Sequence, residues 1–144
     1  MIEDGARILV GTDFSEGAGI AIDVAREFAM RFGASLDVLH VLERYGSATW
    51  QPAAAAAEWL ERKRIDRTQV TVRSGFPWVE LVRHAEQTKP LMIVVGSHGT
   101  SGFQPLTLGS TAARMGVLSP YPVLVVAGAP GRRRAPPPPS AART

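Results

Sequence analysis

The chain has 144 residues, 45% of them hydrophobic and 20% charged, with no cysteine. That length suits one domain burying about two-thirds of its unfolded surface, and the missing cysteines exclude disulfide scaffolds, cysteine zinc sites and thiol catalysis. Four of the 16 basic residues are Arg132, Arg133, Arg134 and Arg143, which leaves 12 against 13 acidic residues before them, so the charge placement argues against a dedicated nucleic-acid site.

The opening MIEDGAR carries acid where a signal peptide carries base. No apolar run reaches membrane-spanning length, so the expected location is cytoplasmic, with no membrane partner. Ile8, Leu9 and Val10 form a first short strand ended by Gly11-Thr12-Asp13. Ser15 is placed to cap the following helix. In it Ala21, Val24, Ala25, Phe28 and Phe32 recur at helical spacing, and Gly33 ends it. Leu36 to Val41 is the second strand, and Glu43 to Gln51 reads as loop.

A second helix begins near Pro52 and carries Ala53 to Ala57, Trp59 and Leu60; its alanine run reflects helix propensity. Val70 to Arg73 is a third strand, turned at Gly75. Pro77 fits a first helical position, with Trp78, Leu81, Val82 and Ala85 as the buried stripe of a third helix. Neither His40 nor His84 has metal-ligand spacing, and both read as packing or surface residues.

Leu91 to Val95 is a continuous apolar run, the pattern of a strand covered on both faces of a parallel sheet. Gly96 ends it. Without a Cβ, Gly96 and Gly99 can take positive φ and bring backbone N–H groups close to an anion. Gly109 follows, then Ser110 and Thr111, an N-cap pair for a fourth helix through Met115. Such a helix start offers unpaired N–H donors and the positive end of a dipole. From Pro90 to Ala113 the only ionisable side chain is His98, so phosphates here would be held by backbone donors, hydroxyls and a divalent ion. His98 either reaches a phosphate or bonds within its own loop. The P-loop lysine pattern GxxxxGK[ST] is absent from the whole sequence.

A last strand, Val123 to Val126, completes strands alternating with helices: an open five-stranded parallel α/β sheet with helices on both faces. Asp13 at the end of strand one and the glycines after strand four serve one ligand only if those strands are neighbours. Order 3-2-1-4-5 places them side by side, at the topological switch point. Asp13 then either meets ribose hydroxyls or caps the first helix. The final strand is an apolar edge, which pairing with a second copy would cover. Residues 1–127 are expected to fold as one domain. Residues 128–144, with Pro136 to Pro139, are expected to be a solvated Arg/Pro-rich tail.

The blocks ILVGTDFS (Ile8 to Ser15), LHV (Leu39 to Val41), VVGSHG (Val94 to Gly99), LGS (Leu108 to Ser110) and PVLVV (Pro122 to Val126) resemble the universal stress protein family, in its order. Gly96-x-x-Gly99, nine residues, then Gly109-Ser110 is similar to that family's ATP-binding signature. The resemblance covers roughly residues 6–127. It implies the Rossmann-like adenine nucleotide α-hydrolase-like fold, a homodimer through Val123 to Val126, and an ATP-responsive or other adenine-nucleotide switch with Mg²⁺. The implied binding residues are Gly11, Thr12, Asp13, Val41, Val95, Gly96, Ser97, His98, Gly99, Gly109, Ser110 and Thr111. Val41 would meet the adenine edge through its backbone; its sequence context alone equally fits a core valine. No residue is set to activate water, so ATP hydrolysis is expected to be slow at most. Thr100 stands where many relatives carry a basic residue, which lowers charge compensation and keeps cyclic AMP in view as a ligand. An ATP-cleaving enzyme and a pure interaction module are the other readings.

Overall fold

The computed structural model describes residues 5–43, 53–98 and 108–127. Along the chain these form β1 (Arg7–Thr12), α1 (Glu16–Phe32), β2 (Ser35–Glu43), α2 (Ala53–Arg62), one 3₁₀ turn (Arg67–Gln69), β3 (Val70–Gly75), α3 (Pro77–Thr88), β4 (Met92–Gly96), α4 (Ser110–Leu118) and β5 (Val123–Val126). All strand pairs are parallel, in the order β3-β2-β1-β4-β5, as the switch-point argument requires.

Continuous apolar strands arise because alternate side chains feed two separate cores. Ile8, Val10, Val38 and Val94 pack under α1 and α2, together with Trp59, Leu60 and Ile65. Leu9, Leu39, Ile93 and Val95 pack under α3 and α4, against Leu81, Ala85, Ala112 and Met115.

Local chemistry fixes the ends of α1. The Ser15 side chain accepts from the Ala18 N–H, and Gly33, at φ 65°, closes the last turn on the Ala29 and Met30 carbonyls. A side chain at that left-handed position would be strained.

Two helices are rotated from the expected stripes. In α1 the buried arc is Ala18, Ala21, Ile22, Ala25 and Ala29, whereas Phe32 is 38% exposed. Small side chains let the helix lie close to the sheet. Phe28 and Phe32 instead stack on each other at the rim, ring centroids 5.8 Å apart. In α3, Leu81 and Ala85 are buried as expected, but Trp78 and Val82 are only half-buried, and Glu80 and His84 are inside. Each of those polar groups has a partner. Glu80 pairs with Arg83 at 3.1 Å, and His84 pairs with Asp37 at 2.8 Å.

β2 continues through Glu43, which pairs with Gly75, so Glu43 is strand and not the start of a loop. The expected loop beyond it, from residue 44, and the tail from 128 lie outside the described residues. Among the described residues no helix is long and apolar enough to cross a membrane.

Candidate functional site

β1 lies between β2 and β4, so the chain leaves its carboxyl end in opposite directions and opens a crevice there. Asp13 stands at that end. Its Oδ1 accepts from the Ser15 N–H at 3.0 Å, an Asx turn, while capping of α1 falls to Ser15. Thr12 is buried, and its hydroxyl accepts from the Phe14 N–H at 3.0 Å. Phe14 itself has φ 63°, unusual for an aromatic residue. Gly11 makes room for α3: a Cβ there would meet the Leu81 side chain at 3.1 Å.

The ladder from β2 to β1 ends at Thr12↔His40, whereas the ladder to β3 runs on through Val41↔Arg73. Val41 therefore extends past the end of β1, half-buried, at the mouth of the crevice. One position earlier, His40 Nδ1 lies 2.8 Å from the Thr12 carbonyl and must donate to it, because a carbonyl only accepts.

Across the crevice, Ser97 joins three elements. Its N–H donates to the Val126 carbonyl at 2.9 Å and its carbonyl accepts from the Gly109 N–H at 2.7 Å. Its hydroxyl lies 2.9 Å from His98 Nδ1. Val95 is 4% exposed, with its side chain in the α3/α4 core, so only its backbone reaches the site. The glycines are needed for close approach. A Cβ on Gly96 would meet the Gly17 carbonyl oxygen at 3.2 Å, one on Gly17 would meet the His98 carbonyl oxygen at 3.0 Å, and one on Gly109 would meet the Ser97 carbonyl oxygen at 3.0 Å. Gly96 does not take the positive φ expected of it; backbone crowding, rather than an unusual dihedral, is what excludes a side chain. Gly17 was not legible as part of this seam from sequence.

α4 starts differently from expectation. Gly109 is the N-cap, at φ −62° and ψ 159°, with no side-chain cap; Ser110 is the first residue inside the helix and Thr111 the second. The cap position belongs to Gly109 because only a residue without Cβ fits against Ser97 there. Gly109 thus has no side-chain oxygen to offer the first-turn N–H groups, as Ser15 does in α1, and α4 begins beside the end of β4. Gly99 and the rest of the expected phosphate loop to residue 107 lie outside the described residues.

A second polar group was missed by sequence reasoning. His84 Nε2 lies 2.8 Å from Asp37 Oδ2, and Arg73 Nε lies 3.3 Å from His84 Nδ1. Since the guanidinium only donates, Nδ1 accepts and Nε2 carries the proton to the carboxylate. The signal was available: Asp37 interrupts an apolar strand, and His84 falls at helical spacing with Leu81 and Ala85. Among the described residues no group of three His, Cys, Asp or Glu side chains is arranged to hold a metal ion.

The model of the universal stress protein family matches residues 6–127. The chain belongs to this family. It is 32% identical over 133 residues to a universal stress protein of Mycolicibacterium smegmatis, an alignment covering 83% of this chain and 45% of that one; the chain thus spans less than half that relative's length. Among solved structures it is similar to the universal stress protein UspA from Lactobacillus plantarum, at 26% identity and TM-score 0.68, covering 87% of this chain and 99% of that one. It is also similar to a universal stress protein in complex with cAMP, at 28% identity and TM-score 0.60, covering 84% and 95% of the two chains. The strand order is thus that of a universal stress protein.

Proposed function

We propose that this universal stress protein binds an adenine nucleotide in the crevice between β1 and β4 and acts as a nucleotide-responsive switch. The observation that carries the reading is the start of α4: its N-cap, Gly109, has no side chain and is bonded to Ser97 at the end of β4, the strand beside β1, whose end leads into Asp13. Backbone donors and the positive end of a helix dipole favour a phosphate. Gly17, Gly96 and Gly109 let the start of α1, the end of β4 and the start of α4 pack backbone against backbone beside it. Asp13 is a carboxylate at the end of β1, and its chemistry suits ribose hydroxyls.

In this reading Gly11, Thr12, Asp13 and Val41 hold the nucleoside. Val95, Gly96, Ser97, His98, Gly99, Gly109, Ser110 and Thr111 hold the phosphates. ATP would bring Mg²⁺, bound mainly by phosphate oxygens and water, since the protein offers few anionic ligands nearby. Cyclic AMP is the second reading. It is favoured by the solved relative in complex with cAMP and by the absence of lysine and arginine from Leu91 to Ala113, because a cyclic monoester needs less charge compensation. Homodimerisation through the β5 edge, Val123–Val126, belongs to the same proposal; among the described residues β5 pairs only with β4.

The test is calorimetric titration of nucleotide-free protein with ATP and Mg²⁺, AMP, cyclic AMP and GTP, repeated on Ser110→Asp. Ser110 is exposed in the first turn of α4, where a carboxylate suits the helix dipole but repels a phosphate. Adenine-nucleotide binding that weakens at least tenfold in the variant, with unfolding stability kept, supports the reading. No adenine-nucleotide binding at millimolar concentration refutes it.

A further inference from the structure

Phe14 sits between Asp13 and the start of α1 in a left-handed conformation, φ 63°. An aromatic residue keeps such a backbone only where its surroundings over-determine it. Here the surroundings are two rings from other elements. The Phe14 ring lies 4.4 Å from the His40 ring of β2 and 5.3 Å, edge-on, from the Trp59 ring of α2.

Both of those rings also hold the backbone. His40 Nδ1 donates to the Thr12 carbonyl at 2.8 Å, and Trp59 Nε1 donates to the Ser15 carbonyl at 3.2 Å. The carbonyl just before Asp13 and the carbonyl two residues after it are thereby held from outside the loop, by side chains 28 and 44 positions away in sequence, the second in addition to its bond from the Gly19 N–H within α1. Packing alone would be met by any apolar side chains of similar size. Two ring N–H groups aimed at the two carbonyls that bracket Asp13 do something packing does not: they hold the backbone on either side of Asp13, including Ser15, whose N–H binds the Asp13 carboxylate. Imidazole Nδ1 can donate in both protonation states, so the grip does not depend on the charge of His40.

We infer that His40 and Trp59 are positioning residues for the nucleotide site, clamping residues 12–15 so that Asp13 is pre-organised for its ligand and occupancy is felt at α2. This rests on the adenine-nucleotide reading above. A ligand bonded to Asp13 and a structural change at Trp59 act on one short segment, so each shifts the other by the same factor.

The experiment compares ATP and cyclic AMP affinity, by calorimetry, for wild type, Trp59→Phe, His40→Leu and His40→Asn, with urea unfolding of each. Trp59→Phe keeps an aromatic ring and loses the N–H; His40→Asn retains a short side-chain donor that His40→Leu lacks. Losing one neutral hydrogen bond is worth about three- to tenfold here. The expected result is that loss in Trp59→Phe and His40→Leu, with affinity in His40→Asn within about twofold of wild type, even if its urea midpoint is no better than that of His40→Leu. With Trp50→Phe and Trp78→Phe in place, Trp59 is the one tryptophan left of three, and its emission is expected to shift on nucleotide addition. That signal decides the matter if a His40 variant does not fold. If wild type binds nucleotide while the variants bind equally well and Trp59 emission is silent, the clamp is wrong and the site stands. If wild type binds no adenine nucleotide, the site reading falls and the clamp with it.

Discussion

Gly109→Ala isolates the claim that the seam between β4 and α4 is limited by space alone. At φ −62° and ψ 159° any L-residue is comfortable, so backbone strain contributes nothing. The new Cβ would instead lie 3.0 Å from the Ser97 carbonyl oxygen and 3.4 Å from His98 Cα, short of the ~3.5–4.0 Å at which non-bonded carbons rest. Neither neighbour is a flexible side chain. Ser97 is also held from behind by its bond to the Val126 carbonyl at 2.9 Å, so the helix start has to retreat by several tenths of an ångström and stretch its 2.7 Å bond to Ser97. Overpacking of this kind costs about 1–3 kcal/mol, offset by about 0.4–1 kcal/mol from the stiffer unfolded chain. The expected net loss is about 1–2 kcal/mol, or roughly 3–6 °C in melting temperature for a domain of this size. Urea and thermal unfolding measure it, and nucleotide affinity should fall with it. An alanine variant as stable as wild type, with unchanged affinity, would refute the close-approach argument.

Gly116→Ala is the control on the same helix: nothing lies within 4 Å of the added Cβ, so it should raise stability by about 0.5–1 kcal/mol, read from the same urea curves. His84→Ala leaves Asp37, whose side chain is 12% exposed, without its imidazole partner. A loss of about 2–3 kcal/mol is expected, discounted from fully buried pairs because Arg73 can move toward the carboxylate; a change below about 0.5 kcal/mol would rule out an energetic role for the network. Asp66 accepts from the Thr68 N–H and, secondarily, from its hydroxyl, which holds its carboxyl below the ordinary 3.8. A depressed folded-state value means the ionised form is favoured by folding, so this stabilisation is present above pH 3.8 and is lost as pH falls through the folded-state value. The gap in urea midpoint between wild type and Asp66→Ala should therefore narrow between pH 7 and about pH 3; a gap that widens in acid would contradict the sign.

The strand order was legible because strands alternate with helices along the chain and because one ligand needs the ends of strands one and four side by side. Ser15, Gly33 and Pro77 were legible because capping is decided within a few residues. What was hidden depends on distance in space. The buried face of α1 is chosen by how closely a helix of alanines can approach the sheet, and two phenylalanines at helical spacing gave no hint of that. Gly109 as N-cap, in place of Ser110, follows from contact with Ser97 across the chain. Phe14 in a left-handed conformation runs against its own preference and is held there by His40 and Trp59. Of the expected binding residues, Asp13, Val41, Ser97, Gly109 and Ser110 lie at the carboxyl ends of β1, β2 and β4 and the start of α4, while Gly99 falls outside the described residues.

The Asp37–His84–Arg73 network bears on how the chain avoids misassembly. In β2, Val38 faces one core and Leu39 the other, so both faces accept aliphatic side chains and the oily pattern alone discriminates poorly between neighbouring alignments. Sliding β2 by one residue against β1 would exchange one aliphatic for another where Val38 meets Leu39 and Val41 meets Leu42, but it would drive the Asp37 carboxylate toward the α1 side, away from His84, and take His40 off the Thr12 carbonyl. Asp37 and His40, two polar residues set among aliphatic ones, thus work as alignment keys that penalise the slipped sheet.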